Sequence, residues 1–110
     1  MLKKNYEFKK VLSKGKYFSG ENIEVFIKNN NYKDKNYIGL AISTKVGKAV
    51  VRNNIKRLIR ESYKNIENNT KSGYSIIFLW KKNVSSEKAN YYSINKDILD
   101  IFDKANIIQK

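Results

Sequence analysis

Apolar residues recur along this chain at two different periods, and the switches between them mark out seven elements. Phe8, Val11 and Leu12 fall at i, i+3, i+4, which predicts a helix. Asn5 can cap it, Glu7 sits in its first turn and Gly15 can close it. Residues 16–19 read as a short strand. Ile23, Val25 and Ile27 then alternate with Glu24, Phe26 and Lys28, the pattern of a half-buried strand. The polar stretch 29–36 predicts a hairpin loop. Ile38, Leu40 and Ile42 form the inward side of a third strand; the small Gly39, Ala41 and Ser43 leave room on its other side. From Lys48 to about Asn68 the period returns to helical, with a core stripe of Val51, Ile55, Leu58, Ile59, Ser62 and Ile66. Residues 74–80 are apolar nearly throughout and predict a strand covered on both faces. Ser85 or Ser86, with Glu87, begins a last helix whose core side is Ile94, Ile98, Ile101, Phe102 and Ala105. Trp80 ends the fourth strand and is expected to pack.

The predicted order is therefore α-β-β-β-α-β-α. It fits an α+β fold of two layers, a four-stranded mixed sheet packed with helices. Neither linker nor repeat divides the chain, so residues 1–110 are expected to form one domain.

Composition narrows the chemistry. Cys and His are both absent, which removes thiol nucleophiles, Cys/His zinc sites and imidazole acid–base catalysis. The carboxylates are scattered, so neither catalytic nor metal-ligating residues are predicted. The N-terminus lacks the apolar segment of a signal peptide, and no apolar run approaches the ~20 residues of a membrane span. The expected location is the cytoplasm, without a membrane partner.

Charge changes the picture most. The formal net charge is +13, the mark of a protein that meets a polyanion. Of 23 basic residues 20 are Lys, and the three Arg, Arg52, Arg57 and Arg60, lie within nine positions. The planar guanidinium grips phosphate in ways that Lys cannot copy. Arg52, Lys56, Arg60 and Lys64 fall at steps of four on the predicted helix, with Asn53 and Arg57 beside them. Like charges at this spacing repel by a few tenths of a kcal/mol per pair. Solvated faces usually mix signs, whereas a phosphate backbone would supply the missing anions. Lys45 and Lys48 extend the patch into the turn ahead, where helix amides can also receive a phosphate.

The segment from Lys45-Val46-Gly47-Lys48 through Arg52-Asn53-Asn54-Ile55-Lys56-Arg57-Leu58-Ile59-Arg60-Glu61 resembles the signature of the bacterial ribonuclease P protein family. Arg52 and Asn53 match the first two positions of the Arg-Asn-Arg motif, Asn54 replaces the second Arg, and Lys56, Arg57 and Arg60 match the later cations. The likeness runs over nearly the whole chain.

It implies a four-stranded sheet with a left-handed βαβ crossover through the motif helix. It also implies a subunit of an endoribonuclease that removes the 5′ leader from precursor tRNA. The catalytic RNA, with Mg²⁺, would perform the cleavage; the protein would bind no cofactor, be inactive alone and need no obligate protein partner. Lys45, Lys48, Arg52, Asn53, Lys56, Arg57, Arg60 and Lys64 would bind the catalytic RNA. A cleft at Phe8, Leu12 and Phe26 would hold the single-stranded leader. Phe8 and Phe26 match aromatic positions of the family, whereas Leu12 stands where a second helix aromatic would be. Tyr17 and Phe18 are nearby aromatics that could stand in for it. From the strand pattern alone, Phe26 is open to two readings: packed beneath a helix, or stacking on bases. A general RNA-binding protein, a self-sufficient nuclease and a membrane-surface protein are the competing functions. Motif spacing disfavours the first, the lack of converging acids the second, and the want of Trp or Phe on the apolar side of the basic helix the third.

Overall fold

The computed structural model describes residues 5–30 and 35–109, with side chains from Phe8 onward. The side chains of Asn5 and Glu7 thus lie outside the described residues. The elements follow the predicted order: α1 (Asn5–Lys14), β1 (Lys16–Ser19), β2 (Ile23–Asn29), β3 (Tyr37–Leu40), α2 (Ala49–Ile66), β4 (Tyr74–Trp80) and α3 (Tyr91–Lys104).

The sheet order is β1-β2-β4-β3. β1 and β2 are antiparallel, as are β2 and β4, while β3 runs parallel to β4. The fold is α+β with a mixed sheet. β4 is central and its apolar sequence meets that position: Ser75 through Phe78 and Trp80 are buried. Its insertion between β2 and β3 corrects the hairpin expected over 29–36. The two flanking strands do not pair with each other; each pairs with β4 instead. Likewise β3 reaches its parallel neighbour only through α2, a crossover rather than a hairpin.

Pleating divides the core in two. Ile23, Val25, Ile27, Ile76, Phe78 and Trp80 face α2 and α3, where they meet Ile55, Ile59, Ile94, Ile98 and Phe102. Trp80 is 2% exposed and donates its indole N–H to the Val84 carbonyl at 2.9 Å. The opposite face carries α1, with Val11 and Ile77 buried against each other's surroundings. Sheet, α2 and α3 form the two-layer body, and α1 adds a partial third layer. The small residues expected opposite Ile38 and Leu40 fit this side, Gly39 being buried and Ala41 packed in the smaller cluster.

Two local expectations shift. The Ser86–Lys88 segment is a separate 3-10 turn, and α3 starts after Asn90, whose side chain accepts from the Ser93 N–H at 2.9 Å. The α2 stripe also includes Tyr63, which packs edge-on against Phe78 and Phe102.

α3 contributes a buried acid as well. Asp97, 3% exposed, accepts from the backbone N–H groups of Glu21 (3.1 Å), Asn22 (2.8 Å) and Ile23 (3.3 Å). Three donors compensate the cost of burying this carboxylate and fasten the β1–β2 turn to the helix. Gly20 permits the approach, because a Cβ there would lie 2.7 Å from the Asp97 carboxyl carbon.

Candidate nucleic-acid interface

The cationic surface is built by α2 and the turn before it. Ser43 starts that turn by accepting from the Lys45 N–H. Gly47 follows in extended backbone; a Cβ there would come within 2.9 Å of the Val51 side chain, so the close approach needs glycine. Lys48 occupies the N-cap of α2 without a side-chain cap hydrogen bond. Ile55, Leu58, Ile59, Ser62 and Tyr63 anchor the buried side. Their burial turns Asn53, Arg57, Arg60 and Lys64 to solvent, with Arg52 and Lys56 half-buried along the flank. Lys45 and Lys48 are exposed at the leading end. All eight residues expected to bind the catalytic RNA therefore share one helix and its lead-in.

The three guanidinium groups differ in their present partners. Arg52 donates through Nε to the Gly47 carbonyl at 3.1 Å, tying the helix to its lead-in turn. Arg57 donates to Glu61 and to Asn54, both at 2.8 Å, so Asn54 helps to hold the fork of Arg57. That ion pair is exposed on both sides and adds little stability. Arg60 lines a groove of about 780 Å³ between the C-terminal half of α2 and the edge strand β3. Lys35, Lys64, Tyr37 and Tyr63 line the same groove. Burial pushes the Tyr63 phenol above its ordinary pKa, and its hydroxyl accepts from the Asn36 amide at 3.3 Å. Tyr63 was legible in the spacing, one helical step of four after Ile59.

A second surface lies on the α1 face of the sheet. Phe8 and Phe26 are half-buried there, beside Val11, Ile77, Tyr37, Ala41 and Leu79. Leu12 is not in this cluster; it is 38% exposed. Of the two replacement aromatics, Phe18 turns to the opposite face and packs in the main core. Tyr17 stays on the Phe26 side. The two are paired across β1 and β2, with ring centroids 5.2 Å apart and planes at 55°. Tyr17 is 50% exposed and donates its hydroxyl to the Glu24 carboxylate. That hydrogen bond is the chief reason its pKa lies above the ordinary phenol value. Half-buried rings with one open side combine apolar support with access for a base.

Among the described residues no group of three or more His, Cys, Asp or Glu is placed to hold a metal ion, and no helix is long and apolar enough to cross a membrane.

This geometry coincides with a family match over nearly the whole chain: the ribonuclease P family model matches residues 1–106. The chain belongs to the ribonuclease P protein family. A ribonuclease P protein component of Clostridium botulinum (strain 657) is 38% identical over 107 residues, covering 96% of this chain and 94% of the relative. That of Clostridioides difficile (strain 630) is 38% identical, covering 96% and 91%. The RNase P protein of Staphylococcus aureus superposes with a TM-score of 0.85 at 27% identity, over 98% of this chain and 96% of that one. A mutant of the S. aureus protein, described as defective in mRNA degradation activity, gives the same TM-score and identity over 97% and 88%. The RNase P protein of Thermotoga maritima, at 24% identity and a TM-score of 0.84, shares the fold over 94% of each chain. The chain is thus a ribonuclease P protein component in sequence and in fold, which makes it a subunit of the endoribonuclease that processes tRNA 5′ ends.

Proposed function

We propose that this chain grips the catalytic RNA of ribonuclease P with the cationic flank of α2, and the 5′ leader of precursor tRNA with the α1 face of the sheet. The observation that carries the reading is the separation of two surfaces with different chemistry. The flank of α2 offers Lys45, Lys48, Arg52, Lys56, Arg60 and Lys64 as partners for a folded RNA backbone. The α1 face offers Phe8, Phe26 and Tyr17, the platform that single-stranded bases need. A helix of fixed cations suits a structured RNA whose phosphates stand at fixed spacing. Stacking suits a leader of arbitrary sequence, because every base has a π-face.

In this reading the protein positions and the RNA reacts. Neutralising phosphates where the two RNAs approach lowers their mutual repulsion, and holding the leader places the scissile bond against the catalytic RNA. The Mg²⁺ used in cleavage is held by RNA, and the protein carries no catalytic residue. Leu12 adds an apolar rim to the leader path rather than a ring.

The test is holoenzyme reconstituted from this protein and its cognate RNA, assayed on precursor tRNA with and without a leader. Tighter binding of the leader-bearing substrate, lost in Phe26→Ala, supports the reading. Equal affinity for both substrates sinks the leader half of it. A second reading, RNA degradation by the protein itself, is favoured only by the description of the S. aureus mutant. Protein freed of RNA separates the two, since cleavage of precursor tRNA or mRNA by such protein would contradict the cofactor role.

A further inference from the structure

Glu24 is the only acidic side chain in any of the four strands. It lies on the α1 side, two residues before Phe26 and roughly 7 Å along the strand from it. In a chain of net charge +13 an anion beside a proposed RNA path runs against the general field. It repels phosphate, and towards a nucleotide base it attracts the groups that donate hydrogen bonds. It is also held in place. Tyr17 donates its hydroxyl to one carboxylate oxygen, and the ring of Tyr17 rests against Phe26. Among the described residues Glu24 forms no ion pair. Its half-exposed carboxylate therefore keeps acceptor capacity at the edge of the Phe26–Tyr17 platform.

We infer that Tyr17 and Glu24 form a base-reading subsite that prefers one nucleotide identity in the leader, guanosine first, cytidine and adenosine next, and uridine last. The inference rests on the leader path proposed above and adds specificity to it. A base stacked against Phe26 and Tyr17 turns its Watson–Crick edge toward a neighbouring side chain, the edge by which unstacked RNA bases are read. Guanosine presents N1–H and the N2 amino group side by side, two donors that a carboxylate can accept together. Cytidine and adenosine each present one exocyclic amino group. Uridine presents a single N3–H between two carbonyl oxygens, and both of those face the carboxylate unfavourably. Tyr17 orients the acceptor and supplies ring surface; Glu24 makes the choice.

The experiment uses holoenzyme and precursor tRNAs with all-uridine leaders, into which G, C or A is placed at each leader position in turn. At one position guanosine should tighten binding about fivefold over uridine, a modest share of what a bidentate base contact can give. Glu24→Gln, nearly isosteric but both donor and acceptor, should flatten that preference while leaving the affinity for the all-uridine leader within about twofold. Tyr17→Phe should weaken the preference in part, because the hydroxyl that anchors Glu24 is lost while the carboxylate itself remains. A preference unchanged in Glu24→Gln, or the lack of any preferred position, would overturn the inference. Phe26→Ala serves as the control. If leader-dependent affinity falls in Phe26→Ala while Glu24→Gln changes nothing, the leader path stands and only the base-reading role is lost. If leader-dependent affinity survives Phe26→Ala, the path lies elsewhere and both readings fail.

Discussion

Two helices, α2 and α3, lie against each other on one face of the sheet, and each buries a stripe of branched aliphatic residues there. Their outer surfaces diverge. α2 exposes or half-exposes five cations against the single acid Glu61. α3 carries Lys96 and Lys104 against Asp97, Asp100 and Asp103, and it spends Asp97 on the β1–β2 turn. The shared stripe satisfies the same hydrophobic requirement in both, so folding does not explain the charge of α2. Like charges along one helix cost a few tenths of a kcal/mol per neighbouring pair. α3 shows that a helix at this site can avoid that cost. The excess on α2 is therefore best understood through a partner that carries the opposite charge.

The comparison breaks most directly by exchanging the charges. Replacing Arg52, Arg57 and Arg60 together by Ala should weaken binding of the catalytic RNA by at least about 100-fold, since hydrogen bonds to charged groups are worth about 1.5–3 kcal/mol each. Replacing Lys96 and Lys104 of α3 by Ala should change it by about threefold or less. Affinities measured over a salt series check both, and the Arg variant should also show a shallower dependence on salt. Similar losses from the two helices would mean that the whole surface binds non-specifically.

The next largest effect belongs to stability rather than binding. Asp97→Ala removes the acceptor for three buried or half-buried backbone N–H groups and should cost about 2–4 kcal/mol of folding free energy. Chemical denaturation reads this. Catalytic-RNA affinity, measured where the variant is still folded, should stay near the parent value, because α2 does not depend on that turn. Asp97 is thus the α3 counterpart of the α2 cations, an acidic side chain used inwards.

How far the sequence revealed these roles follows from the range of the interactions. Periodicity located α2 and β4 closely, because a helical stripe and an apolar run are local properties. The cations of α2 were legible for the same reason, since steps of four placed them together before any packing was known. Strand order was not. That β4 enters between β2 and β3 is settled by pairings 38 to 57 residues apart, so the segment after Asn29 looked like a hairpin loop. Asp97 was hidden too, because its partners lie 74–76 residues earlier. For Tyr17 and Phe18, alternation fixed only that they point to opposite faces. The side on which each lay had to come from the pairing of Tyr17 with Phe26.

A third region, the α1 face, tests whether half-burial marks use. Phe26→Ala should lower leader-dependent affinity by about tenfold, within the ~1–3 kcal/mol that base stacking contributes. It should leave mature tRNA and catalytic-RNA binding nearly unchanged. A fully buried Phe would instead cost about 3–5 kcal/mol of stability, and Phe26 is only partly enclosed. Equal losses for both tRNA forms, together with a large fall in melting temperature, would make this face a plain second core.

The smallest expected effect discriminates within α2 itself. Arg57 and Arg60 are both exposed and three residues apart, yet Arg57 already spends its fork on Glu61 and Asn54, whereas Arg60 lines the groove beside β3. To grip a phosphate, Arg57 has to give up these bonds, and the gain is reduced by what is lost. Arg60 gives up no comparable pair. Arg60→Lys should therefore weaken catalytic-RNA binding by about 1 kcal/mol, as the planar fork is replaced by a point charge. Arg57→Lys should cost about half of that or less, because a lysine there still pairs with Glu61 or with RNA. Direct titration of the two variants against the same RNA decides the order. If Arg57→Lys proves the more damaging, the contacts to Glu61 and Asn54 serve to aim Arg57 at the RNA rather than to compete with it.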